Sequence, residues 1–142
     1  ELYEKIPKKT NIEINLGCPN IQPNMWPGFE RFTKDDRKWC IAKIPPTFSE
    51  SQIDFIIESG FKQVHACNTL PVDKGGLSGK DIIPYTIRIL KYIKKNYPTI
   101  EVIAGGGITS KEDVNRYKDH GANYFSLGSV CFTPWKIKKI IT

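Results

Sequence analysis

Short apolar runs alternate along the chain with longer stretches whose apolar positions recur every three or four residues. Five runs read as strands: "IEINLG" from Ile12, "KWCIAKI" from Lys38, "KQVHACN" from Lys62, "EVIAGGG" from Glu101 and "NYFSLGS" from Asn123. The stretches between them read as helices. Ser49 offers an N-cap for a segment ending at Gly60, and Ser110 offers one for a segment ending at Gly121, with acidic residues in its first turn. Ile83, Ile87, Leu90 and Ile93 mark one face of a longer helix that stops before Pro98, and "WKIKKIIT" ends the chain as a short one. Strands alternating with helices predict βαβ units and a parallel sheet of about five strands. The strand centres are rich in Val, Ile and Leu, as expected of a sheet buried on both faces. No linker or low-complexity tract divides the 142 residues, so 1–142 reads as one continuous α/β unit.

Composition and charge change this picture little. The 39% hydrophobic and 25% charged residues are globular proportions. No run approaches the about 18 apolar residues of a membrane helix, so no membrane partner is expected. The opening "ELYEKIPKKT" lacks the apolar segment of a signal peptide and an initiator Met, so the chain reads as a fragment. The net charge of +6 comes largely from lysines on helix faces and near the end. A solvated basic surface is the simplest reading, and no nucleic-acid motif accompanies it, so no nucleic acid is expected. A mild attraction for anionic small molecules fits equally well. Cys18, Cys40, Cys67 and Cys131 form no C-x-x-C pair and no zinc-spaced cluster with histidine. No metal is therefore expected, and scattered cysteines suit a reducing compartment, the cytoplasm.

The candidate chemistry gathers at the carboxyl ends of the predicted strands, where α/β sheets and barrels bind ligands. "GCPN", "KIPP", "NTLP", "GGGI" and "GSV" each follow an apolar run. Gly105–Gly107 stand between a strand and a helix capped by Ser110, where backbone amides and a helix N-terminus favour an anion. Gly128 and Ser129 offer an amide and a hydroxyl at the next strand, and paired loops of this kind hold phosphate in (β/α)₈ barrels. "KGGLSGKD" lacks Walker spacing and reads as a flexible glycine-rich connection. Lys43 lies inside an apolar strand, where an inward charge needs a partner such as an anionic cofactor. His65 reads as packed rather than catalytic, and Trp26, Trp39 and Trp135 read as core or loop packing. Cys18 is left over: a turn needs Gly, Pro and Asn for backbone reasons, but no thiol.

These motifs resemble, in order and interval, the second half of a dihydroorotate dehydrogenase: "INLGCPN", "AKIPP", "CNTLP…GGLSGKDIIP", "VIAGGGITSKEDV" and "GANYFSLGS". The resemblance runs from about Asn11 to the end. It implies a flavin-dependent (β/α)₈ TIM barrel, of which this chain is the C-terminal half, and oxidation of dihydroorotate to orotate in pyrimidine biosynthesis. Carried over by position, Cys18 matches the base that removes a proton from dihydroorotate while hydride passes to FMN. Asn15, Asn20 and Asn68 match amides that bind the pyrimidine and its carboxylate, with Thr69 beside them. Lys43 matches a lysine near the polar edge of the flavin, and Gly79, Gly106, Gly107, Gly128 and Ser129 match positions around FMN and its phosphate.

A cysteine base is similar to the soluble class of that family, which commonly forms homodimers; the membrane-associated class typically has serine. The chain departs from the pattern at Gly17, where serine is usual, at Cys67, where a Thr or small apolar residue is usual, and in a shorter stretch from Asn20 to Lys43. The first strands of the barrel are missing, so the N-terminal half is an expected partner and the chain alone is expected to be inactive or weakly stable. Two alternatives stand beside this reading. A tRNA-dihydrouridine synthase would suit Gly17 and the positive charge, but "KIPP" and "HACNT" do not fit it. A non-catalytic remnant would keep the phosphate loops without turnover. The electron acceptor (fumarate, NAD or quinone) is not legible.

Overall fold

Side chains that alternate in polarity place the strands where their apolar positions can reach a common helix layer. The computed structural model describes residues 2–17, 28–67, 69–73 and 75–142. A single helical turn, α1 (Leu2–Lys5), precedes β1 (Ile12–Asn15). There follow β2 (Cys40–Ile44), α2 (Glu50–Glu58) and β3 (Gln63–Ala66). A hairpin of β4 (Leu70–Val72) and β5 (Gly75–Leu77) leads through a 3₁₀ turn, Lys80–Ile82, into α3 (Ile83–Asn96). The chain then runs through β6 (Glu101–Gly105), α4 (Lys111–Asp119), β7 (Tyr124–Ser126) and α5 (Ile137–Ile141). Five strands form one parallel sheet in the order β1-β2-β3-β6-β7, as the alternation predicts. The hairpin pairs antiparallel, Leu70 with Leu77 and Val72 with Gly75, outside that sheet. The glycine-rich connection is therefore partly ordered structure rather than a loop throughout.

The helix boundaries follow their chemistry. Ser49 accepts from the Gln52 amide while the Gln52 side chain accepts from the Ser49 amide, a reciprocal capping box that starts α2. Ser110 and Asp113 do the same for α4. In α3 the buried stripe is Ile83, Thr86, Ile89, Leu90 and Ile93. Ile89 rather than Ile87 completes it, because Thr86 turns inward to donate to the Gly105 carbonyl at 3.0 Å. Each buried Leu or Ile contributes on the order of 1.5–3 kcal/mol of hydrophobic stabilisation.

Only one face of the sheet matches the expectation of an apolar environment on both sides. Ala42, Ile44, Val64, Ala66, Val102 and Ala104 point into the helix layer and are fully buried. The opposite face carries Glu13, Ile41, Gln63 and Glu101 in one cross-strand row and Asn15, Lys43, His65 and Ile103 in the next. At the amino end of that face, Trp39 and Tyr124 meet edge to face across β3 and β6, with ring centroids 5.1 Å apart. Trp39 thus packs as expected, whereas Trp135 is 70% exposed and packs on no core; Trp26 lies outside the described residues.

Candidate functional site

Because strands of a parallel sheet all point one way, their carboxyl ends bring sequence-distant loops to a single rim. Here they enclose a cleft of about 280 Å³. It is lined by Lys43 from β2, His65 and Cys67 at β3, Thr69 before the hairpin, Ser78 and Gly79 after it, Gly105–Gly107 at β6, and Ser126, Gly128 and Ser129 at β7, with Ile82, Ile108 and Phe132 as apolar wall.

The three consecutive glycines meet three different needs. Gly105 clears space for an imidazole, since a Cβ there would stand 3.1 Å from His65 Nε2. Gly107 adopts φ +71°, and its Cβ would fall 2.7 Å from the Gly79 carbonyl oxygen. Only a glycine allows both that conformation and that approach of two loops. Gly106 lies against Ile82 in the same way. The loop carbonyls are tied down on the helix side: Thr86 Oγ1 donates to Gly105 at 3.0 Å and Tyr117 Oη donates to Gly106 at 2.6 Å. Burial pushes the Tyr117 phenol up to about 12, so it remains a donor at neutral pH. In a planar trans peptide the N–H points opposite to the C=O. Fixing the carbonyls of Gly105 and Gly106 toward the helices therefore turns the amides of Gly106 and Gly107 away from them, as an anion nest requires.

The adjacent helix end is used differently from the sequence expectation. The Asp113 carboxylate accepts from the Thr109 amide at 2.9 Å, the Ser110 amide at 3.1 Å and both hydroxyls at 3.1 Å. Burial pushes that carboxyl up, but the hydrogen bonds from Thr109 and Ser110 outweigh it and hold the group below the ordinary aspartate value. The negative charge favoured at the start of α4 thus comes from the chain itself. The glycine amides and the β7 loop remain as uncharged donors at this rim.

A charged trio lines the open face beside the cleft. His65 Nδ1 lies 2.7 Å from Glu13 Oε2, and Lys43 Nζ lies 3.7 Å from Glu13 Oε1. Lys43 pairs in register with Asn15 on one side and His65 on the other. The partner anticipated from a cofactor is thus already supplied in part by Glu13. Cys67 is buried at the cleft floor, where burial pushes its thiol up to about 11 and keeps it protonated and inert. A Cβ on Gly76 would stand 2.6 Å from Thr69 Oγ1, so the hairpin glycines let β5 lie against Thr69.

Seven of the residues anticipated from sequence are brought together here: Lys43, Thr69, Gly79, Gly106, Gly107, Gly128 and Ser129. Asn15 sits beside Lys43 at the end of β1, where its side-chain oxygen accepts from the Gly17 amide at 3.1 Å. Cys18, Asn20 and Asn68 lie outside the described residues. Sequence reasoning missed His65 as a cleft residue. Its signal was there: Lys43 and His65 are each the penultimate residue of an apolar strand, the parity that faces the cleft. Among the described residues, no three His, Cys, Asp or Glu side chains are placed to hold a metal ion, and no helix is long and apolar enough to cross a membrane.

Parallel strands, a covering helix layer and a glycine-rich rim define part of a (β/α)₈ barrel with a cleft at its carboxyl end. The chain belongs to the dihydroorotate dehydrogenase family, whose profile matches residues 2–142. It is 28% identical over 146 residues to the catalytic subunit of dihydroorotate dehydrogenase B (NAD(+)) of Thermotoga maritima, covering 85% of this chain and 53% of that protein. The corresponding subunit of Staphylococcus carnosus is 26% identical over 172 residues, covering 99% of this chain and 54% of that protein. The crystal structure of the Eimeria tenella dihydroorotate dehydrogenase in complex with ferulenol superposes with a TM-score of 0.61 at 20% identity, over 70% of this chain and 31% of that one. The chain spans about half the length of the curated relatives it matches.

Proposed function

We propose that the protein containing this chain oxidises dihydroorotate to orotate with FMN, and that residues 1–142 form one continuous portion of the barrel completed by an N-terminal half. The observation that carries the reading is the convergence of Lys43, Thr69, Gly79, Gly106, Gly107, Gly128 and Ser129 on a single cleft. The cleft suits the cofactor on its own chemistry. It offers an amide nest and a serine hydroxyl for a phosphate and a lysine for an electron-rich ring edge. Added Cβ atoms at Gly79 and Gly128 would meet nothing within 4 Å, so open space lies where a ligand would pass.

FMN, when bound, supplies the acceptor for the hydride that leaves dihydroorotate. The amides of Gly106 and Gly107 and the hydroxyl of Ser129 hold its phosphate, and Lys43 holds the polar edge of its ring. Asn15, Asn20, Asn68 and Thr69 orient the substrate's ring and carboxylate, since a planar polar ring is fixed by paired donors and acceptors. Cys18, as thiolate, accepts the proton that dihydroorotate loses. A lowered thiol pKa or a desolvating substrate gives it that basicity, in contrast to the buried Cys67. Relatives named as catalytic subunits of dihydroorotate dehydrogenase B support the activity, and a cytoplasmic location is in keeping with Cys40, Cys67 and Cys131 being free thiols.

The test is anaerobic bleaching of flavin absorbance by dihydroorotate in the protein expressed from its complete reading frame. Bleaching that slows by about 10²–10⁴-fold in Cys18→Ala, with FMN still bound, is the expected outcome for loss of a general base. Flavin bound but not bleached in the unaltered protein would overturn the substrate, and absence of bound flavin would overturn the enzyme reading in favour of a remnant.

A further inference from the structure

Glu13, Lys43 and His65 occupy three adjacent strands on the open face, and one carboxylate stands between two basic side chains. The two contacts are unequal. At 2.7 Å the Glu13–His65 contact is a short hydrogen bond, donated by Nδ1–H to the carboxylate. At 3.7 Å the Glu13–Lys43 contact is beyond hydrogen-bond distance. The imidazole is fixed on every side: its side chain is 8% exposed, Nδ1 faces Glu13, and Nε2 faces the space that Gly105 leaves by having no side chain. Glu13 and Lys43 are more open, at 36% and 26%. A carboxylate that lost its histidine could therefore close on the ammonium. Among the described residues, the other charged group on this part of the face, Glu101, accepts from Gln63 at 3.3 Å.

We propose that His65 is a positioning residue for Lys43: by engaging Glu13 it holds that carboxylate off the Lys43 ammonium, which stays available to the electron-rich edge of a ligand in the cleft. Without His65, Glu13 becomes a competing internal anion. This rests on the FMN reading of the cleft, and it assigns to Glu13 and His65 a role in ligand affinity exercised through Lys43.

The inference predicts a sign that packing alone would not produce: removing Glu13 should undo the harm of removing His65. FMN titrations followed by flavin fluorescence, on the protein from its complete reading frame, test this with four variants. His65→Ala should weaken FMN binding about tenfold, the equivalent of one charge-assisted contact (about 1.4 kcal/mol). Glu13→Gln should bind FMN at least as tightly as the unaltered protein. Adding Glu13→Gln to His65→Ala should restore affinity to within about twofold of Glu13→Gln alone, the non-additivity that coupled neighbours show. His65→Asn, whose amide can still donate to Glu13, should stay near the unaltered value. An unchanged His65→Ala, or a double variant as weak as His65→Ala, would overturn the inference and leave FMN binding intact. An unaltered protein that takes up no FMN would overturn the proposed function and this inference with it.

Discussion

The two faces of the same sheet are built from alternate residues of the same strands, and they have opposite character. On one face Ala42, Ile44, Val64, Ala66, Val102 and Ala104 are fully buried under helices. On the other, one residue away in each strand, stand Lys43, His65, Gln63 and Glu101, with Glu13 beside them. Since successive side chains point to opposite sides, each strand supplies stability and chemistry at once without sharing a residue between them. In a closed barrel the polar set lies inward and the apolar set packs on the surrounding helices. The comparison predicts that substitutions sort by face: those on the helix side change stability, and those on the cleft side change binding.

The largest expected effect lies wholly on the helix side. Leu90 is fully buried in the stripe of α3. Leu90→Ala should destabilise by about 2–5 kcal/mol, from lost transfer energy and the cavity left behind. Urea unfolding of the whole protein measures it, and FMN affinity of the remaining folded fraction should be unaltered. A smaller stability loss coupled to weaker FMN binding would break the division between faces.

Tyr117, like Thr86, tests a place where the faces are joined. Its hydroxyl reaches from the helix layer to the Gly106 carbonyl at 2.6 Å. Tyr117→Phe leaves that buried carbonyl short of a donor, at a cost of about 1–3 kcal/mol. It also frees the peptide that aims the Gly107 amide into the cleft. Stability and FMN affinity should therefore fall together, in thermal unfolding and titration of the same sample, which distinguishes this variant from Leu90→Ala.

The legibility of the molecule from sequence follows the same division. Local chemistry was readable: Ser49 and Ser110 do cap their helices, Gly60 and Gly121 do end them, and the five strands fall where alternation put them. Motifs at the strand ends located the cleft because a parallel sheet collects those ends whatever the register. What depended on register was not readable. The Glu13–His65 contact joins residues 52 apart, and no local pattern specifies it. The hairpin 70–77 was missed because its strands are three residues each and contain Pro71 and two glycines, which local propensity counts against a strand. Asp113 places its own carboxylate at the start of α4, where a helix N-terminus favours negative charge whatever its source, and the sequence pattern alone does not say which source is used.

Asp113 gives a smaller effect with a defined pH dependence. Its carboxyl titrates lower folded than unfolded, so the stabilisation is fully present above the ordinary value of 3.8 and is lost as pH falls through the lowered folded value. Asp113→Asn should cost about 1 kcal/mol at neutral pH, typical of a lost cap. The difference from the unaltered protein should begin to shrink below about pH 4, where the unfolded carboxylate takes up its proton, and close once pH falls below the lowered folded value. A gap that stayed constant down to pH 2 would assign the effect to shape rather than charge.

The smallest expected change in stability should accompany a clear loss of binding, which makes it the sharpest test of the two faces. Gly128 lines the cleft, its φ of −109° lies outside the left-handed region that favours glycine, and an added Cβ would meet no atom within 4 Å. Gly128→Ala should thus cost no more than about 1 kcal/mol, because the added methyl group clashes with nothing. Gly107→Ala makes the contrast, since its positive φ and the Gly79 oxygen forbid a side chain on structural grounds alone. If Gly128 is glycine because a ligand lies there, the methyl group falls in the ligand's path and FMN titration should show weaker binding while the melting temperature holds. If affinity is unchanged as well, the space beside Gly128 is solvent, and the phosphate must be held by the Gly106–Gly107 amides without the β7 loop.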